Sequence, residues 1–161
     1  MKKIILSLFV ITIALSGIAQ PYDSNMYKKT DLLIIHTTKS YTDAKKFAVQ
    51  AAKKLSLELD LHGLTPNKET GLTADTATCE ASGYSFPMYL ERIGDYDEGE
   101  YISIEYSNGY GNSKGSLKEG YYLVVAASGS RDITKPALEY VKKVYKDAYI
   151  QQVEMYLGCR H

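Results

Sequence analysis

Three extended stretches of this chain place carboxylates and tyrosines two or four residues apart, the spacing at which side chains leave one face of a β-strand. Glu58 and Asp60 stand in LELDL, Tyr101 and Glu105 in YISIEYS, and Glu154 and Tyr156 in QQVEMYL. Carboxylates accept hydrogen bonds from hydroxyl groups, and a tyrosine ring can lie against the apolar face of a pyranose. These six residues are therefore candidate ligand contacts on a glycan-binding sheet surface. Carboxylates on adjacent strands would also suit the ~5 to 9 Å separation used in glycoside hydrolysis. Hydrolysis is the weaker reading, because a proton-donating carboxyl needs an apolar pocket and nothing in the sequence marks one.

The other reactive side chains form no recognisable catalytic set. His36 lies near the end of the run LLIIHTT with no serine or cysteine nucleophile in a known motif, which favours a structural role. His36, His62 and the terminal His161 show no metal-ligand spacing, so neither a metal nor another cofactor is expected. The acidic cluster Asp95, Asp97, Glu98 and Glu100 lacks a calcium-loop pattern and reads as a solvated turn. GYGNSKGS, from Gly109 to Ser116, lacks the phosphate-loop pattern and precedes a strand rather than a helix, so it reads as a mobile hairpin loop.

Two strand–helix–strand units must position the candidates. In the first, Leu32 to Thr38 is a central strand and Asp43 to Leu55 a helix, followed by a strand at Leu57 to Leu61. Ala44, Phe47, Ala48, Ala51, Ala52 and Leu55 form the buried stripe of that helix, and Ser40 or Thr42 can cap its start. In the second, a strand from Tyr121 to Ala127 precedes a helix with start signals at Ile133 to Pro136. Its stripe runs through Ala137, Leu138, Val141, Val144, Tyr145 and Ala148, and a last strand extends to Leu157. A further strand lies at Tyr101 to Ser107. The expected architecture is α+β, a ferredoxin-like βαββαβ sandwich in which two helices cover one face of an antiparallel sheet. An insertion at 62–100 falls in the middle, with a short helix or irregular strand near Met88 to Ile93. The expected core is Ile34, Phe47, Ala51, Leu59, Leu123, Val125, Leu138, Val141 and Val153.

The beginning of the chain concerns location. MKKIILSLFVITIALSGIAQ sets two lysines before an apolar run and small residues, the pattern of a secretory signal peptide cleaved after Ala19. The expected organisation is a signal peptide at 1–19, a loose leader at 20–30 and a single domain at 31–161. The protein is expected to be exported, periplasmic or secreted, with no membrane span after cleavage. In an oxidising compartment Cys79 and Cys159 are expected to form a disulfide. The 161 residues carry 19 basic and 19 acidic side chains, so nucleic acid is not an expected partner. The 15 tyrosines, with no tryptophan, fit either strand propensity or a ligand-facing surface.

The two units, and GYYLVVAASGSRDITKPALEYVKKVYKDAYI most of all, resemble the SPOR domain family of exported bacterial modules. The resemblance covers both halves but not the insertion. It implies a βαββαβ fold and the binding of septal peptidoglycan, with glycan strands stripped of peptides lying on the open sheet face. The sequence is thus read as a non-catalytic module that binds peptidoglycan or another glycan. The alternative is a protein-interaction or inhibitory domain.

Overall fold

A computed structural model of the chain describes residues 27–89, 98–110 and 117–156. The elements are β1 (Tyr27–Thr38), α1 (Tyr41–Leu55), β2 (Thr65–Asn67), β3 (Gly71–Thr73), α2 (Thr76–Ala81), β4 (Ser103–Tyr106), β5 (Tyr122–Gly129), α3 (Arg131–Val141) and β6 (Tyr149–Tyr156). Four strands form one antiparallel sheet in the order β4-β5-β1-β6, while β2 and β3 form a separate hairpin. The fold is α+β. β1 starts at Tyr27, within the stretch expected to be a leader.

β1 sits at the centre because its apolar run can be buried on both faces. Leu33 and Ile35 join the core beneath the helices, whereas Leu32 and Ile34 join a second cluster behind the sheet. Ala44, Ala48 and Ala51 of α1 and Ala137 and Val141 of α3 belong to the first cluster, so both helices pack on the same face. The small side chains of α1 let its axis approach the strands closely. Ser40 caps α1 by accepting a hydrogen bond from the Asp43 amide at 3.3 Å, and Ser56 ends it in the left-handed region at φ 55°.

The second helix differs from its expected limits. α3 begins at Arg131, so Pro136 lies inside the helix rather than in its first turn. It also stops at Val141, after which tight turns carry the chain to a buried Ala148. Val144 is consequently exposed and does not extend the buried stripe.

Leu57 to Leu61 is not a strand of the sheet. Its alternation survives only as a parallel bridge between Leu59 and Ile102, made by Ile102 N–H donating to Glu58 and Asp60 N–H donating to Ile102. Three of the expected core residues, Phe47, Leu59 and Leu138, are only partly buried, and the others are buried. Within the expected insertion, the β2–β3 hairpin closes on the sheet through the Tyr122 hydroxyl, which donates to the Gly71 carbonyl at 3.0 Å. Gly71 has φ 77°, and a Cβ there would overlap the Tyr106 ring. Asp75 caps α2 by accepting from the Thr78 amide at 2.8 Å. Of the element expected near Met88 to Ile93, residues 90–93 lie outside the described residues, as do Asp95, Asp97 and most of the GYGNSKGS loop.

The back of the sheet is not an open polar face. Leu32, Ile34, Leu123, Val125, Val153 and Met155 are buried there with Tyr110, and Leu117 and Tyr121 pack against them. Strands apolar on both faces require cover on both faces, and these strands have it. Among the described residues, no helix is long and apolar enough to cross a membrane.

Candidate functional site

The expected ligand residues do not converge on one surface. Glu105 is wholly buried on β4, where Oε2 accepts from Tyr89 at 2.6 Å and Tyr110 at 2.9 Å, and Oε1 accepts from Ser103 at 2.7 Å. The protein itself uses both carboxyl oxygens, so a sheet-bound glycan cannot reach them. Glu58 is exposed on the segment leading to the Leu59 bridge. Glu154 lies opposite Lys29 in the β1–β6 register, and Tyr156 ends β6 opposite Tyr27.

Two of the six do meet through a third residue. His62 Nδ1 is 3.4 Å from Asp60 Oδ2, and its Nε2 is 3.3 Å from the Tyr101 hydroxyl. His62 has φ 51°, and its amide donates to Asp60 Oδ1 at 2.7 Å, so this small array is fixed by a tight local turn. Cys79 is a buried cysteine on α2 with no disulfide partner among the described residues, and its Sγ lies 3.8 Å from the Ala74 carbonyl. Its expected partner Cys159 lies outside the described residues, so the bridge does too.

A cleft at the other end of the helix-bearing face has the clearest binding geometry. It encloses about 440 Å³ between the end of β1, α1 and the turn joining α3 to β6. The His36 ring stacks on Phe47 with centroids 4.2 Å apart and planes 9° from parallel, and Phe47 meets Tyr145 at 5.2 Å. Tyr149 and Val144, both nearly half exposed, and Asp147 complete the wall. Parallel and tilted rings beside open space form a platform for a flat, partly apolar ligand.

The polar groups of this cleft are set by their neighbours. His36 Nε2 and Asp43 Oδ2 are 3.1 Å apart, and the hydrogen bond from His36, with another from Thr38, holds the Asp43 carboxyl below its ordinary range. Burial pushes the Tyr145 and Tyr149 hydroxyls above theirs. At neutral pH the cleft therefore presents protonated phenols, with an ionised Asp43 behind its His36 wall. The helix start positions Asp43, the strand end positions His36, and α1 presents the Phe47 ring beside its alanine stripe.

Sequence reasoning assigned Phe47 and Tyr145 to buried stripes and His36 to a structural role. The available signal was a phenylalanine among alanines, one helical turn beyond an aspartate able to reach a histidine near a strand end. Among the described residues no group of three or more His, Cys, Asp or Glu side chains could hold a metal ion. No protein-family model, curated protein or solved structure matches this chain.

Proposed function

We propose that this chain is an exported, non-catalytic binding module that holds a glycan strand in the cleft of His36, Phe47, Tyr145 and Tyr149. The observation that carries this reading is the stacked His36–Phe47 pair beside Tyr145 in an open cleft of about 440 Å³. A pyranose face can lie on such a platform while Asp147 and the tyrosine hydroxyls take its hydroxyl groups. Binding suits the site better than hydrolysis. A general acid must be protonated at working pH, and the His36 bond favours the ionised Asp43.

The likeness to SPOR domains supports the same ligand class, and the strand order supports the same fold. With the β2–β3 hairpin and α2 taken as an insertion, β1, α1, β4, β5, α3 and β6 follow a βαββαβ order. Their sheet order β6-β1-β5-β4 then reads as the ferredoxin-like split arrangement. The glycan site proposed is a cleft at the strand end, because the sheet face used in that family is apolar and buried here.

The test is retention of the mature protein on purified peptidoglycan, with and without amidase treatment to remove stem peptides. Wild type should be retained, more so on stripped strands. Tyr149→Ala combined with Asp147→Asn alters only exposed cleft residues, so it should keep the fold and weaken retention by about fivefold to tenfold. Unchanged retention of that folded double variant would refute the site. The exposed side chains of Val49, Val144 and Tyr149 favour a second reading, a protein partner. Absence of retention together with a stable protein complex blocked by the same variant would establish it instead.

A further inference from the structure

The strand end that walls the cleft runs directly into a second concavity. Thr37 lines the cleft, and Lys39, two residues on, lines a recess of about 280 Å³ between the end of β1, the β2–β3 hairpin and the facing ends of β4 and β5. Two residues of extended chain span at most about 7 Å, so the two concavities are neighbours at one end of the sheet. The start of α1 braces both. Asp43 pairs with His36 behind the cleft wall, and Tyr41 sets its ring edge-on to Tyr122 of the recess, with centroids 5.5 Å apart.

The recess repeats the ring chemistry of the cleft and changes its charge. The partly buried rings of Tyr106 and Tyr122 line it, 5.2 Å apart and tilted by 52°. The Tyr122 hydroxyl is engaged by the Gly71 carbonyl, which fixes that ring. Gly120 puts no side chain over the other, since a Cβ there would stand 3.9 Å from the Tyr106 hydroxyl. The cleft carries one cation and one carboxylate, Lys146 and Asp147, whereas the recess carries Lys39 and Lys68 and no carboxylate. Lys39 Nζ lies 5.4 Å from the centre of the Tyr121 ring, and among the described residues neither lysine makes an ion pair. Glu69 and Glu119 are exposed next in sequence to Lys68 and Gly120 but do not line the recess.

Adjacent aromatic floors suit successive rings of one linear ligand, and two unpaired ammonium groups beside the second floor call for an anionic ring there. We propose that the recess is a second subsite for the strand held in the cleft, and that Lys39 and Lys68 take a carboxylate carried by one of its sugars. The inference rests on the cleft being a glycan site. It narrows the ligand to a linear glycan that bears carboxylates along its length, with Tyr106 and Tyr122 stacking on the acidic sugar and the two lysines reading its charge.

Amidase-stripped peptidoglycan strands carry a free lactyl carboxylate on alternate sugars, and carbodiimide coupling to methylamine neutralises it while leaving the chain intact. Isothermal titration of the mature protein with tetrasaccharides of the two forms reads the subsite directly. Wild type should bind the carboxylate form about threefold to tenfold more tightly, and the preference should shrink as salt rises. Lys39→Gln combined with Lys68→Gln, both at exposed side chains, should erase the preference and leave affinity for the neutral form unchanged. Tyr149→Ala, in the cleft, should weaken both forms alike and preserve their ratio. Equal binding of the two forms by wild type, or a preference that survives loss of both lysines, would overturn the second subsite and leave the cleft reading standing. No binding of either form by wild type would overturn both.

Discussion

A carboxyl group with no exposed surface has to find its donors inside the protein, and Glu105 finds three hydroxyls. One donor, Tyr89, also accepts from the Tyr106 amide at 3.0 Å, which ties an irregular segment to the edge of the sheet. Glu105→Ala should strand these hydroxyls and lower stability by about 3 kcal/mol, read from urea unfolding, while Glu105→Gln should lose less. An alanine variant as stable as wild type would show that the array contributes nothing. Asp43 makes a different claim, about pH. Its carboxyl is depressed below the ordinary 3.8 by His36 and Thr38, so its stabilising contribution is present above that value and fades as pH falls through the lower folded value. Asp43→Asn should therefore flatten the melting temperature between about pH 5 and pH 2, where wild type declines. An unchanged acid slope would mean that other carboxyl groups set it.

At the scale of elements, legibility followed how many faces a segment buries. β1 was visible because Leu32 to Ile35 are apolar in succession, and α1 because its alanines recur at helical spacing. Leu57 to Leu61 carries the alternation of a strand, yet pairing is a property of two segments and, among the described residues, only Leu59 finds a bridge partner. Likewise the alternation around Glu105 was read correctly as extended chain, while the cover over its face was not legible. Tyr89 and Tyr110 bring that cover from segments without periodicity of their own. The cleft was hidden for the opposite reason. Phe47 and Tyr145 obey the pattern of buried residues, and only the early end of α3 at Val141 leaves them beside open space.

For the whole molecule, the order of strands in space differs sharply from their order in the chain. β1 pairs on one side with β5 and on the other with β6, with Ile34 of β1 matched to Val125 and Tyr149. A chain ending at Asp147 would leave one side of the central strand unpaired, and it should show no cooperative thermal transition by circular dichroism. A sharp transition in that truncated chain would make β6 peripheral. The same arrangement has a consequence for a polypeptide made from its amino end. The strand that emerges early has no sheet neighbour until β5 follows it, and its other side stays open until β6, so the central sheet closes only when strands distant in the sequence have been made.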